Sequence, residues 1–177
     1  MNGEYSLGRG DGAVALAIID ELTKLYAEVY AEPPYSSSPL YEEQAFISRT
    51  TRQADREEFA IVLARDSGGQ LIGFSFGLPF QPGKWWAGDA TPPPEELLSA
   101  AKFAVIELVV KVEWRGHGLG GRLLSDLLRE RPEKYAILTA DPDAPARQIY
   151  THWGWEQIGT ARHTDDASVM DQLVLRR

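Results

Sequence analysis

The chain contains no cysteine. That single absence excludes disulfides, thiolate zinc sites and cysteine nucleophiles. The 3 histidines, His117, His152 and His163, fall at unrelated spacings, so no metal motif forms and no metal is expected. No apolar run approaches the roughly 20 residues that span a bilayer. The first residues also lack a basic stretch leading into an apolar one. No membrane contact and a cytoplasmic location are therefore expected. Basic residues are scarce: 18 Lys and Arg stand against 26 Asp and Glu, a net charge of −8. Nucleic acid is a poor partner for such a chain, because neutralising phosphates needs clustered Lys and Arg. The deficit is uneven. Residues 1–100 carry 15 acidic and 7 basic residues, net −8, whereas residues 101–177 carry 11 of each, net zero. An acidic half suits a cationic small molecule; it equally suits plain solubility.

The 177 residues, 44% hydrophobic and 25% charged, suffice for one globular domain with a buried core. The informative stretch is 104–124. From Ala104 to Val112 only Glu107 and Lys111 are charged and β-branched residues dominate, which suits a central strand. Glu113 and Trp114 lead into Arg115-Gly116-His117-Gly118-Leu119-Gly120-Gly121. From there Leu119, Leu123 and Leu127, with Leu124 and Leu128 beside them, repeat at helical spacing. A strand, a glycine-rich turn and a helix form an anion-binding device, because the first-turn amides and the helix dipole face whatever the turn encloses.

Two phosphate loops fit those glycines. Gly116, Gly118 and Gly121 match G-x-G-x-x-G, with Asp141 at 20 residues beyond. Against a dinucleotide fold, Glu113, Trp114 and Arg115 intervene before the first glycine, and too little chain follows for a second nucleotide-binding half. The other reading begins at Arg115: Arg115-x-x-Gly118-x-Gly120.

The remaining elements follow in order. Residues 1–12 read as a flexible lead with at most an edge strand at 4–7. A helix is expected over 13–32, stopped by Pro33-Pro34, and a second over 40–51. Residues 59–64 and 71–78 read as a hairpin around Asp66-Ser-Gly-Gly69. Residues 79–96, with Trp85 and Trp86, read as a long connection that is either packed surface or a lid. Tyr135–Ala140 reads as a buried strand. Asp143 is placed to cap a helix starting near Pro145, and Gly154 to end it. Residues 155–161 and 169–175 close the chain as an antiparallel pair. The expected class is α/β of the α+β type: a mixed, mostly antiparallel sheet with a central parallel pair, flanked by helices.

This order, with Glu107-Leu-Val-Val110 before Arg115-Gly-His-Gly-Leu-Gly120, resembles the GNAT acetyltransferase superfamily. Asp143-Ala-Pro-Ala146-Arg-Gln-Ile-Tyr150, then Gly154 and Trp155, resembles that family's N-x-x-A-x-x-x-Y segment with its following glycine and aromatic. The chain departs in having Asp143 for the frequent asparagine, Val112 for a frequent proline, and bulkier Trp153 and Trp155. The resemblance implies acetyl-CoA in a V-shaped opening between two central strands. Arg115, Gly116, His117, Gly118, Leu119, Gly120 and Gly121 would hold the pyrophosphate, with Lys111 and Arg122 adding charge. Main-chain groups of Leu108, Val109 and Val110 would pair with pantetheine, and Asp143, Ala146 and Tyr150 would line the same site. It implies an N-acetyltransferase that moves acetyl to a primary amine, with Tyr150 as the acid protonating the departing thiolate, and it is compatible with a homodimer. Glu107, a carboxylate in an otherwise apolar strand, is the candidate base; a buried carboxylate satisfied by a neighbouring donor is the equal alternative. Tyr35, Trp85 and Trp86, with the acidic half, are candidates to border a small cationic acceptor. A protein N-terminus or lysine as acceptor, or a non-catalytic acyl-CoA-binding module, stays open.

Overall fold

In the computed structural model, which describes residues 3–177, the central apolar run is strand β5, Lys102–Val110. Its first four residues are buried, and from Ile106 burial alternates residue by residue. The strands pair in the order β1 (Tyr5–Gly10), β2 (Ala60–Asp66), β3 (Leu71–Phe80), β5, β6 (Tyr135–Ala140), β8 (Met170–Arg176), β7 (Glu156–Arg162) and β4 (Asp89–Ala90), an eight-stranded sheet that is mostly antiparallel with a parallel β5–β6 pair. The expected class is the observed one. Two compact units divide the chain, one comprising the residues up to Leu78 and Ile106–Arg131, the other Pro79–Val105 and Pro132–Arg177.

The first unit starts with β1, Tyr5–Gly10, which pairs antiparallel with β2, Ala60–Asp66. The edge strand is thus longer than the sequence suggested; Met1 and Asn2 of the expected flexible lead lie outside the described residues. β2 forms the expected hairpin with β3, Leu71–Phe80, and a register shift falls between Ala64 and Arg65. The helix expected over 13–32 is two, α1 (Gly12–Ala17) and α2 (Ile19–Tyr30), broken at Ile18 with φ −119° and ψ 24°. No proline or glycine forces that break; both helices also contact α3, Glu43–Ala54, so tertiary packing overrides local propensity. α3 begins three residues later than expected, because Pro39–Tyr41 forms a separate 3₁₀ turn capped by Ser38. The core here is aromatic: Tyr26, Phe46, Phe74 and Phe76 are fully buried. The last element of this unit is α5, Leu119–Leu128, whose five leucines are all buried.

The second unit holds β4 (Asp89–Ala90), α4 (Glu95–Ser99), β6 (Tyr135–Ala140), α6 (Pro145–His152), β7 (Glu156–Arg162) and β8 (Met170–Arg176). β4 and α4 lie within and just beyond the connection expected at 79–96. β8 lies between β6 and β7, antiparallel to both, and the parallel ladder of β5 on β6 covers Lys102–Ala104. Asp143 does not cap α6. Ala144 holds that position without a side-chain bond, and Asp143 lies in the turn before it, where its amide donates to the Asp141 carboxylate at 2.9 Å. Gly154 follows the helix at φ +88°, as expected of its end.

One close approach in the first unit is decisive. A β-carbon on Gly12 would overlap the Ala54 main-chain carbonyl, so α1 can meet the end of α3 only with glycine there. Gly12→Ala is expected to destabilise the protein by about 2–3 kcal/mol, an overpacking penalty against rigid backbone. Gly8→Ala, where an added carbon meets nothing within 4 Å, should be neutral. Thermal unfolding of both variants checks this: equal midpoints would refute it.

Candidate active site

Beyond Val110 the chain makes a 3₁₀ turn over Val112–Trp114, passes an extended Arg115, and reaches Gly116 and Gly118, both at φ +79°. L-residues with a β-carbon avoid that region at a cost of roughly 1–2 kcal/mol, so the loop needs glycine at both points. Gly118 directly precedes α5, and no side chain caps the helix. The first-turn amides therefore have no intrahelical acceptor and stand at the positive end of the helix dipole. A cleft of about 1010 Å³ opens beside them, with Gly118, Arg122 and Ser125 on one wall and Tyr5 and Arg9 on the other. Arg115 is occupied: its Nε donates to the Val110 carbonyl at 3.1 Å and its guanidinium pairs with Glu32 at 2.9 Å. Its side chain ties the loop back to β5, so what the loop offers an anion is main chain. Lys111 lies 3.7 Å from Glu113, and Arg122 lies over the Tyr5 ring at 5.5 Å. His117 is exposed.

Glu107 is 8% exposed on β5. The Tyr30 hydroxyl donates to its Oε2 at 3.1 Å, and Arg49 Nη2 lies 3.7 Å from its Oε1. Burial raises this carboxyl from 4.5 to about 7; the Arg49 charge and the Tyr30 hydrogen bond oppose the rise. Burial and the charge of Glu107 push the Tyr26 and Tyr30 phenols well up, so both remain protonated donors. Tyr35 stands edge-on to Tyr30 at 4.6 Å and to Tyr41 at 5.0 Å, while Tyr30 and Tyr41 stack at 4.8 Å. Tyr35 therefore belongs to the ring cluster beside Glu107.

The other candidates fall in the second unit. Tyr150 is 8% exposed on α6, with the Trp153 ring at 5.9 Å and the Trp155 ring at 6.0 Å. Asp143 is exposed and Ala146 half-buried on the same segment. Trp85 donates its Nε1–H to the Thr91 carbonyl at 3.1 Å, and Trp86 packs on Phe80 at 5.1 Å and His163 at 6.2 Å. The buried Trp86 Nε1–H has no hydrogen-bond partner among the described residues.

The model of the acetyltransferase (GNAT) family matches residues 18–155. The chain is a member of the GNAT acetyltransferase family. Among solved structures it resembles an acetyltransferase related to histone acetyltransferase HPA2 from Corynebacterium glutamicum, with 21% identity, 96% of this chain and 94% of that one covered, and a TM-score of 0.62. A mosquito arylalkylamine N-acetyltransferase-like protein matches at 17% identity over 98% and 100%, TM-score 0.60. The PaiA N-acetyltransferase of Thermoplasma acidophilum, solved with coenzyme A, matches at 11% over 98% and 99%, TM-score 0.62. At such identities the likeness is one of fold. Among curated proteins none matches the sequence.

As a GNAT acetyltransferase the protein transfers an acyl group from acetyl-CoA. Among the described residues no cluster of three or more His, Cys, Asp or Glu can hold a metal ion, and no helix is long and apolar enough to cross a membrane. Sequence reasoning missed Tyr30, Tyr41 and Arg49. Each sits in a helix or turn whose spacing shows only an apolar face, and nothing local ties it to β5.

The raised carboxyl of Glu107 predicts a pH dependence of stability. A group whose folded-state pKa exceeds its unfolded value stabilises the fold when protonated. Its contribution is complete below about 4.5 and is lost as pH rises through about 7. At roughly 1.4 kcal/mol per pH unit the loss is about 3 kcal/mol. Unfolding midpoints between pH 5 and 8 should therefore fall more for wild type than for Glu107→Gln; parallel curves would rule it out.

Proposed function

We propose that this acetyltransferase moves acetyl from acetyl-CoA to the primary amine of a small cationic molecule, by direct attack in a ternary complex. The observation that carries the donor half is the uncapped start of α5 behind two left-handed glycines. In this reading the amides of Arg115–Gly121 hold the pyrophosphate, and no side-chain cation is required there. Leu108, Val109 and Val110 lie in the part of β5 beyond its parallel ladder, and their main-chain groups pair with the peptide-like amides of pantetheine. The resemblance of their segment to the family's motif assigns Asp143, Ala146 and Tyr150 to the cofactor as well.

The acceptor arrives as an ammonium and must lose a proton before it attacks. Glu107 takes that proton; its high proton affinity, near neutral pH, suits a general base. The free amine adds to the thioester carbonyl carbon. The tetrahedral intermediate then collapses with loss of the C–S bond; the Tyr150 hydroxyl gives its proton to the thiolate, and the second proton shed by the acylated nitrogen restores the Tyr150 phenol. Tyr35, Trp85 and Trp86 supply aromatic faces for the cation, and the excess carboxylates of residues 1–100 supply the attracting field. Release of free thiol from acetyl-CoA, measured across neutral, anionic and polycationic amines at low and high salt, tests the acceptor class. Equal turnover of all three with no salt dependence would refute it.

Gly118→Val is expected to abolish coenzyme A binding in a folded protein, because a branched side chain meets both the left-handed backbone and the phosphate. Gly83→Val, with φ +84° and open space around it, imposes the same strain elsewhere and should leave affinity intact. Calorimetric titration with coenzyme A separates the two; undiminished affinity in Gly118→Val would defeat the assignment.

Tyr150→Phe should slow turnover by roughly tenfold to a thousandfold, the range of a lost general acid, with coenzyme A affinity nearly unchanged because the ring remains packed. Retained turnover would make Tyr150 a packing residue only.

A further inference from the structure

We propose that Arg49 is a positioning residue for Glu107: from α3 it fixes the carboxylate of β5 in place and stabilises its charged form, leaving Oε1 as the atom that takes up the proton. This rests on the reading of Glu107 as the base. The guanidinium is held independently of Glu107. Its Nη1 donates to the Leu40 carbonyl at 3.1 Å and more distantly to that of Ala45 at 3.4 Å, and its Nη2 donates to the Tyr26 hydroxyl at 3.2 Å. The charge is thereby placed before any substrate arrives. At 3.7 Å from Oε1 it is outside hydrogen-bond range and acts on the carboxylate as a charge.

The two carboxylate oxygens are therefore unlike. Oε2 is occupied by the Tyr30 hydroxyl, whereas Oε1 faces the arginine at 3.7 Å with no shorter donor contact among the described residues. A proton from the acceptor ammonium has one open oxygen to go to, and the neighbouring cation favours its later release. The groups that face Glu107 are Tyr26 and Tyr30 on α2 and Arg49 on α3, while Tyr35 and Tyr41, in the turns that follow, pack on Tyr30. From β3, Ser75 donates to the Glu107 main-chain carbonyl at 2.8 Å and holds the strand, not the carboxylate. Arg49 is the sole cation in this set.

The test is direct titration of the Glu107 carboxyl by ¹³C NMR of glutamate-labelled protein, its signal assigned by its loss in Glu107→Gln. Arg49→Met should raise the titration midpoint by about one pH unit or more, the usual effect of removing an opposite charge at this range. Arg49→Lys should restore part of the shift. Arg49→Gln keeps a polar amide at this position and serves as the second charge-removing variant. A midpoint unmoved in whichever of these two folds overturns the proposal. Thiol release from acetyl-CoA with spermidine as acceptor gives the second readout. The acid limb of kcat/KM should move up in pH with the NMR midpoint, and activity should return at higher pH. Loss of activity by the same factor at every pH would reduce Arg49 to a structural role and also overturn it. Unchanged activity of Glu107→Gln would instead defeat the base assignment, while the NMR shift would still report the Arg49–Glu107 coupling.

Discussion

A carboxylate withdrawn from water must find partners or keep a proton, and Glu107 imposes that condition on the first unit. Apart from Lys102 at its start, whose ammonium bonds to the Leu98 and Ala100 carbonyls, its strand is apolar, so β5 cannot satisfy it locally. The partners come from α2 and α3, which bring Tyr30 and Arg49 to it. Those helices are in turn placed by an aromatic core: Tyr26 stacks on Phe46 at 4.0 Å, and Phe46 meets Phe74 at 6.4 Å. Removing either polar partner would leave a buried charge poorly compensated, which costs more than the pair itself contributes. The protein accepts a carboxyl that is unfavourable when ionised, and unfavourable ionisation is what keeps its proton affinity near neutrality.

A second constraint comes from the same strand a few residues on. β5 must turn sharply enough to start α5 with its amides unobstructed, and left-handed glycines at 116 and 118 achieve this. Arg115 then anchors the turn from both sides, through the Val110 carbonyl and Glu32. The loop is therefore stiffened by a side chain that the motif alone suggests is a phosphate ligand. An anion-binding loop gains from such stiffening, because amides already oriented lose little entropy when the anion arrives.

How much of this was legible in the sequence depends on how local each cause is. The change of apolar period at Leu119, the glycine spacing and the turn at Gly154 are set by neighbouring residues, and all appear where periodicity placed them. The break at Ile18 has no local signal, and α1 and α2 separate there because both pack on α3. Asp143 is not the cap because the helix starts one residue later than the motif suggests, at Pro145 after Ala144, and Asp143 lies in the turn shaped by the Asp141 carboxylate. Glu107 could be singled out as an anomaly in an apolar strand, but its partners could not be named. Tyr30 lies 77 residues away along the chain, and Arg49 looks like any polar position on a helix.

The pairing of Glu107 with Arg49 also bears on how a cationic acceptor would be recognised. A carboxylate with a guanidinium 3.7 Å away presents little net charge at a distance, so Glu107 is a weak lure for an ammonium even when ionised. Attraction from afar must come instead from the unpaired excess of acidic residues in 1–100, where screening by salt is strongest. In the proposed reading, close recognition would fall to tyrosine and tryptophan faces, whose interaction with an ammonium depends on contact more than on ionic strength. Capture and proton removal are thus separate tasks: salt should weaken the first, and pH, through Glu107, should govern the second.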